Sequence, residues 1–203
     1  MMTSRKKLII TLTVLIALFC VEVVGTLAWL KDNTDPVVNT FTAGNVDISL
    51  TETMKPDGTV VQSGITDWSA QMIPGNTYHK NPVVTVHGSQ EAIDCWLFVK
   101  IEEVGNAQNY LEYSLKSNGW TPYSSNTSNG TNGTKTTIWY REVSASQSDQ
   151  SWDLLDGNTV KVRESVTKEN MNEATQAQLK FTAYAAQKAN RTVDEAWALF
   201  SGN

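Results

Sequence analysis

Apolar and polar residues alternate in short runs along most of this chain, and such a period of two is typical of strands rather than helices. Val46, Ile48 and Leu50 form one such run. In the strongest, IDCWLFVKIEEV at 93–104, both faces are apolar at first and only one is later. This pattern favours a central strand whose far end emerges into solvent. Its residues on one face are Cys95, Leu97, Val99 and Ile101. Further strands are predicted in residues 78–88, 110–115, 136–143, 157–166 and 178–187.

Turn sequences and one helix complete the predicted fold. KPDG at 55–58 and IPGNT at 73–77 carry turn residues, and the second suits a type II turn. Residues 117–135 are rich in Ser, Thr, Asn and Gly, which predicts a mobile surface loop or a long hairpin tip. Thr192 and Glu195 form a capping box for a C-terminal helix at 192–200. We therefore expect an all-β fold, a jelly-roll-like two-sheet sandwich with a short C-terminal helix.

The N-terminal segment has the pattern of a secretory signal helix. A basic start at Arg5, Lys6 and Lys7 precedes an apolar stretch at residues 8–24, and small or modest side chains follow. This predicts a signal peptide at 1–28, cleaved between Ala28 and Trp29, and one β-sandwich domain at 29–203. The alternative is a retained transmembrane helix, which Glu22 and Gly25 disfavour because they interrupt the apolar run.

Charge and cysteine content exclude several classes of protein. The net charge is −5, so the chain has no basic surface for nucleic acid or for an anionic membrane. Cys20 leaves with the signal peptide, and Cys95 then has no partner for an internal disulfide. We expect Cys95 to be a small buried apolar residue. Contact with a membrane is expected only before cleavage.

The sequence contains no recognisable catalytic or cofactor motif. Its two histidines are His79 and His87, and on one unbroken strand they would lie about 26 Å apart, too far to share a metal ion. Zinc-binding His and Cys motifs, calcium loops, nucleophile elbows and phosphate-binding glycine loops are also missing. We therefore predict no enzyme activity, no cofactor and no metal site.

The N-terminal region resembles the TasA/camelysin family of exported proteins from Gram-positive bacteria. The resemblance is carried by GTLAWLKDNTDPVVNTFTAGNVDISLTE at 25–52, with an aromatic residue after the cleavage site, Asp and Asn residues, and an F-x-A-G-x-V-D strand. It continues in MIPGNTYHKNPVVTVHGSQEAIDCWLFVKIE at 72–102. Two departures are His87, where many relatives carry Asn before the glycine turn, and Cys95. Membership implies processing by a signal peptidase of the SipW type.

The resemblance also implies a function. Members of this family form extracellular fibres of the biofilm matrix, in which the freed N-terminal segment of one subunit completes the sheet of the next. An unpaired sheet edge is a template for such a strand. Residues 29–41 are the candidate donor strand, and the side chains expected to anchor it are Trp29, Leu30, Val37, Val38 and Phe41. Other matrix proteins are possible partners in such a polymer.

Two other functions stay open at this point. The first is a monomeric cell-surface adhesin or binding module that uses residues 117–135, with exposed aromatic side chains at Trp120 and Tyr123. The second is a surface metalloprotease, an activity described for camelysin-type relatives, which the missing zinc motif disfavours. Electron microscopy separates the first from the fibre subunit, since only the latter forms filaments.

Overall fold

The main sheet of this computed structural model is built around two ten-residue strands that lie side by side. The structure describes residues 42–43, 46–65, 69–116, 119–123, 128–129 and 133–200, all within one unit of the chain, Val38–Asn203. The strands are β1 Thr42–Ala43, β2 Ile48–Thr51, β3 Thr77–His79, β4 Val83–Val86, β5 Cys95–Val104, β6 Leu111–Glu112, β7 Thr121–Pro122, β8 Ser128–Asn129, β9 Lys135–Val143, β10 Gln150–Asp153, β11 Thr159–Val162 and β12 Gln178–Gln187. The helices are α1 Ala107–Tyr110, α2 Met171–Ala174 and α3 Val193–Ala198, with a 3-10 turn at Asp156–Asn158.

The main sheet has the strand order β1, β12, β5, β9, β7, and β8 also pairs with β9. Strand β5 is central, as its two apolar faces predict, and it pairs antiparallel with β12 on one side and β9 on the other. Strand β12 spans the residues that the alternation predicts. At the edge, β1 pairs with β12 in parallel, the only parallel pairing among the described residues.

Two smaller sheets are joined through shared chain segments. The second sheet has the order β10, β4, β2, and the third has the order β3, β11, β6. Strand β4 follows β3 directly, and β11 follows β10. Between the paired regions, Lys80 donates its N–H to the Asn158 carbonyl at 2.9 Å, and Leu154 donates to the Pro82 carbonyl at 3.0 Å. The two sheets are therefore continuous across a bend at Lys80–Pro82.

The principal core lies on one face of the main sheet, called here the inner face. Side chains from β5, β9 and β12 pack there against residues of the other two sheets. The main-sheet members include Cys95, Leu97, Val99, Ile101, Val143, Phe181, Ala183 and Ala185, and the opposing members include Ile48, Val84, Leu155 and Val160. Burying a large apolar side chain stabilises a fold by about 1.5–3 kcal/mol, so this cluster is the main source of stability.

Helix α3 covers the opposite, outer face of the main sheet. The capping box predicted from the sequence is present, since the Thr192 hydroxyl accepts from Glu195 N–H and the Glu195 carboxylate accepts from Thr192 N–H. Trp197 is buried on the sheet, with its ring centroid 5.3 Å from that of Phe98 and 5.6 Å from that of Tyr184. Six residues cannot sustain a helix alone, so the aromatic contacts stabilise it.

A buried amide ties the chain after β2 to the bend between β3 and β4. The Oδ1 atom of Asn81 accepts the N–H groups of Thr53 at 3.0 Å and Met54 at 2.7 Å, and its Nδ2 donates to the Thr53 hydroxyl. The neighbouring Lys80 forms an ion pair with Glu52 at 2.9 Å, and both side chains are mostly buried. These bonds satisfy backbone groups where the pairing of β2 ends.

Three predicted strands are wrong in part. Residues 110–115 form a strand only at Leu111–Glu112, because the chain leaves β5 through Asn106 in a left-handed conformation and forms α1 up to Tyr110. Residues 157–166 are extended only at Thr159–Val162, between a 3-10 turn and a turn at 164–165. Residues 78–88 break at Lys80–Pro82, where proline lacks an N–H for the ladder, so His79 and His87 do not share one strand.

The all-β prediction is confirmed, because the described residues form three sheets with only short helices. The Pro74–Gly75 turn also fits its type II prediction, with a φ of 79° at Gly75. The predicted signal helix at 1–28 lies outside the described residues. No helix in the ranges given above is long and apolar enough to cross a membrane.

Candidate functional site

The predicted donor strand lies directly before β1, which pairs with the edge of β12. Residues 29–41 and the cleavage site between Ala28 and Trp29 lie outside the described residues, which begin at Thr42. Thr42 pairs with Ala185 and Ala43 with Ala186, near the C-terminal end of β12. In the described part of the chain, Gln178–Tyr184 have a strand partner only on the β5 side. Among the described residues, these seven have no partner on the other side of β12.

This edge carries the chemistry that strand addition needs. Every second residue of an edge strand directs its N–H and C=O groups away from its neighbour, so another chain can hydrogen-bond to them. The β12 side chains on either face are already packed, since Phe181 and Ala183 belong to the inner core and Tyr184 lies under α3. The side chains of β12 are thus packed on both faces of the sheet.

The two histidines lie in separate places. His79 is exposed at the end of β3, while His87 follows β4. Among the described residues, no group of three or more His, Cys, Asp or Glu side chains is arranged to hold a metal ion.

His87 connects a serine and an aspartate in a hydrogen-bonded row. Its Nδ1 lies 3.0 Å from Asp149 Oδ2, and its Nε2 lies 2.9 Å from Ser49 Oγ. The Gly88 N–H donates to Asp149 Oδ1 at 2.9 Å. With Nδ1 protonated, the imidazole donates to Asp149 and accepts from the Ser49 hydroxyl, which is the connectivity of a hydrolytic triad.

The surroundings of this row differ from those of a hydrolytic centre. Ser49 lies inside β2, whose backbone pairs regularly with β4, whereas nucleophilic serines of hydrolases lie on sharp turns beside oxyanion donors. Gly88 is required here, because a Cβ atom would lie 2.4 Å from the Ser148 carbonyl carbon. The row therefore fixes the 147–149 loop against β4.

Cys95 is fully buried in the inner core, as the sequence predicts. Burial raises the pKa of its thiol to about 11, and the charge of Asp94 adds to the effect. A thiol that stays protonated at neutral pH is a poor nucleophile.

The aromatic side chains of the 117–135 segment are not freely exposed, contrary to expectation. Trp120 is half-buried against the inner core, with its ring 5.4 Å from the Arg141 guanidinium. The Tyr123 hydroxyl donates to Asp194 at 2.7 Å, and its ring contacts those of Tyr140 and Trp197. Parts of the segment pair with β9 as β7 and β8. Both aromatic residues therefore pack against the fold and are only partly exposed.

Sequence reasoning missed one site, a cleft at the far end of the inner face with a volume of about 540 Å³. Glu103, near the end of β5, lines it with only 7% of its surface exposed. The sequence suggested that this end of β5 emerges into solvent. The only available signal was that Glu103 continues the inward row of Cys95 to Ile101.

Comparison of the chain with protein-family models, with curated proteins and with solved structures finds no match. The family resemblance is therefore carried by the sequence motifs alone. The β12 edge and the cleft are the two features of the fold on which a function can be built.

Proposed function

We propose that this chain is a secreted structural subunit of extracellular matrix fibres, assembled by exchange of its freed N-terminal strand. The observation that carries the proposal is the parallel pairing of β1 with β12, in which Thr42 and Ala43 lie beside Ala185 and Ala186, directly after the predicted donor strand. The resemblance of residues 25–52 to the TasA/camelysin family supports it. In this proposal the domain is a jelly roll, and its missing edge strand is supplied by a neighbour.

Extending the register of β1 predicts where the donor strand would pair. In a parallel pair the partners advance together, so residue 41 would lie opposite Tyr184 and residue 35 opposite Gln178. Residues 35–41 thus match the seven open residues of β12. Pro36 would lie opposite Leu179, and its missing N–H would interrupt the ladder only near one end.

The same edge can be filled by the subunit's own segment or by that of a neighbour. Exchange between identical subunits replaces one set of backbone hydrogen bonds with an equal set, so its free-energy cost is low. Trp29 and Leu30, at the start of the freed segment, would add apolar contacts on the neighbour. The chain would cross between subunits after Ala43.

Cleavage by a SipW-type signal peptidase would control this exchange. Before cleavage, residues 29–41 are continuous with the membrane segment and cannot reach another subunit. Afterwards each subunit carries one donor and one acceptor at different places. Such head-to-tail contacts do not close on themselves, and they grow filaments. Other matrix proteins with the same edge could join the polymer.

Electron microscopy tests the proposal directly. The full chain is co-expressed with a SipW-type peptidase, and mass spectrometry identifies the exported N-terminus, expected at Trp29. The concentrated exported protein should form filaments, and a variant lacking residues 29–41 should not. Replacing 29–35 with a Gly/Ser segment of equal length should weaken assembly, because backbone length is retained while Trp29 and Leu30 are lost.

A mixing experiment separates donor loss from misfolding. The deletion variant still offers the β12 edge but has no complete donor, so small amounts added to wild type should shorten the filaments. A misfolded variant would leave filament length unchanged. Wild-type-like polymerisation by the deletion variant, or an exported form that retains residues 1–28, would refute the proposal.

A further inference from the structure

The part of β12 that precedes its pairing with β1, residues 178–184, carries a single charged side chain, that of Lys180. Lys180 lies on the outer face of the main sheet, because the next residue, Phe181, belongs to the inner core and side chains alternate between the faces of a strand. It is exposed, and it forms no ion pair with any residue in the described ranges. A cation without a described counter-charge therefore lies at this edge.

The neighbours of Lys180 on β5 do not neutralise it. Glu102 is opposite Lys180 in the β5–β12 register, but its Oε2 lies 3.5 Å from the Nζ of Lys100. That lysine Nζ also lies 5.9 Å from the ring centroid of Tyr184. On these two strands, the outer face at this end thus carries two lysines and one glutamate. In a chain of net charge −5, this is a local excess of positive charge.

The predicted donor strand carries the opposite charge at a matching position. Extending the β1 register places residues 35–41, DPVVNTF, along residues 178–184 of β12. Asp35 is the charged residue of these seven, and it would lie on the outer face opposite Gln178. Val37 would then lie opposite Lys180. Positions one diagonal step apart on adjacent strands have Cα atoms about 7–8 Å apart, which a long side chain such as lysine can bridge.

This charge pair depends on the register. A shift of the donor by one residue turns every side chain to the other face of the sheet. Asp35 would then face the inner side of the sheet, where Phe181 and Ala183 form part of the apolar core, and Lys180 would lose its partner. Since an unpaired carboxylate is unfavourable against apolar surface, the pair favours one register over its nearest alternatives.

A lysine on a sheet edge also acts against the addition of other strands. A strand that covers the charge without offering a counter-charge loses part of the hydration of the ammonium group, and natural proteins use edge lysines in this way. A donor with a carboxylate in reach replaces that hydration with an ion pair. The same side chain can therefore reject apolar segments and accept an acidic one.

We propose that Lys180 determines which strand β12 accepts, by forming an ion pair with Asp35 of a neighbouring copy of this chain. This inference rests on the proposed function, because the donor strand belongs to another subunit. It also defines the partners that can join the polymer. Another matrix protein adds to this edge only if its donor strand carries an acidic residue at the position of Asp35.

Charge exchange in the exported full chain tests the inference, with the critical concentration for filament formation measured by sedimentation at low ionic strength. Lys180→Glu and Asp35→Lys each bring like charges together, and each should raise the critical concentration about fivefold. The double variant should return it toward the wild-type value. Because Lys180 is exposed, the thermal midpoints should stay at that of the wild type.

Two matched controls make the same changes of charge outside the paired segments. Lys168→Glu lies on an exposed turn before α2, and Asp32→Lys precedes the paired part of the donor strand. Both should leave the critical concentration unchanged. Mass spectrometry confirms that each variant begins at Trp29.

Mixing shows whether the pair joins different subunits. In an equal mixture of Lys180→Glu and Asp35→Lys, each donor finds an edge of opposite charge on the other variant, so the mixture should assemble better than either variant alone. Added salt screens exposed ion pairs, so it should raise the critical concentration of the wild type. Lys180→Gln should have a higher critical concentration than the wild type at low salt and a weaker dependence on salt.

The outcomes separate this inference from the fibre proposal. If filaments form and the critical concentration is the same in the wild type, Lys180→Glu and Asp35→Lys, the inference is wrong and the fibre proposal stands. If Lys180→Gln assembles as readily as the wild type, the lysine does not select the donor. A wild-type protein without filaments, or rescue in the double variant but not in the mixture, would refute both.

Discussion

The guanidinium carbon of Arg141 lies 4.1 Å from the ring centroid of Trp152, on the inner face of the main sheet. Arg141 is opposite the fully buried Leu97 in the β5–β9 register, and the Trp120 ring lies on the guanidinium at 5.4 Å. Burial lowers the pKa of this guanidinium. A charged side chain is thus accommodated at the core boundary by contact with aromatic rings.

Replacing this arginine tests the aromatic contact. Arg141→Lys keeps the charge but loses the planar group that stacks on Trp152, so the free energy of unfolding should fall by about 1 kcal/mol. Urea denaturation measures the change. Arg191→Lys is the matched control and should have little effect, since no described ring contact involves Arg191. Equal stability of the two variants would show that the contact contributes nothing.

The buried amide of Asn81 should be among the most sensitive polar positions. Asn81→Ala leaves the N–H groups of Thr53 and Met54 without their acceptor, and the free energy of unfolding should fall by about 2 kcal/mol. Asn172→Ala, at an exposed position, is the control. If Asn81→Ala lost less free energy of unfolding than Asn172→Ala, water would replace the amide oxygen as acceptor at no cost.

Acid should weaken the Asp149 contacts. The Gly88 N–H and then the His87 side chain lower the pKa of Asp149 in the folded state. Its contribution to stability is therefore present above the unfolded-state pKa, and it disappears as the pH falls through the folded-state value. Asp149→Asn should lower the thermal midpoint at neutral pH and match the wild type once the carboxyl is protonated. If the difference between the thermal midpoints of the wild type and Asp149→Asn stayed constant with pH, the prediction would be contradicted. Asp47→Asn serves as the control variant.

Cys95 should be inert in the folded protein. With its pKa near 11 and its side chain fully buried, a thiol reagent at pH 8 should label it only after unfolding. A Cys20→Ala background leaves a single thiol to count. Rapid labelling under native conditions would show that the core around β5 opens readily.

A disulfide ladder can test the register of the donor strand. Continuing the β1 pairing places residue 39 opposite Thr182. Asn39→Cys with Thr182→Cys should form disulfides between subunits of oxidised filaments, since the only other thiol of the cleaved chain is the buried Cys95. Asn39→Cys with Lys180→Cys is displaced by two residues and should cross-link poorly.

A non-reducing gel reads the result as a ladder of oligomers. Bonds confined to single chains would show that each subunit fills its own edge, and equal yields in the two pairs would contradict the register.

Local sequence patterns predicted strand β12 and the capping box at Thr192. The alternation of apolar residues in β12 and the Thr192–Glu195 spacing each involve only a few neighbouring residues. The helical turn ending at Tyr110 was missed because the left-handed Asn106 redirects the chain, and because Tyr110 packs in a cluster with Val162 and Ala174. Those contacts join distant residues, so no local period reports them.

The cleft was missed for a related reason. Two consecutive glutamates, Glu102 and Glu103, indicate a strand end that is exposed to solvent. Glu103 is buried because Tyr113 and Lys135, which are distant from it in sequence, converge on it. The donor segment, in contrast, is a prediction from sequence motifs, and continuing the β1 pairing gives the register in which it would pair.

The parallel pairing of Thr42 with Ala185 gives the edge a direction, since the added strand must run the same way as β12. In an assembly propagated by this pairing, every subunit would point alike. One tip of the filament would expose a vacant edge and the other an undocked leading strand. The two tips would then elongate at unequal rates, and a soluble peptide with the sequence of residues 29–43 would arrest only the tip with the vacant edge.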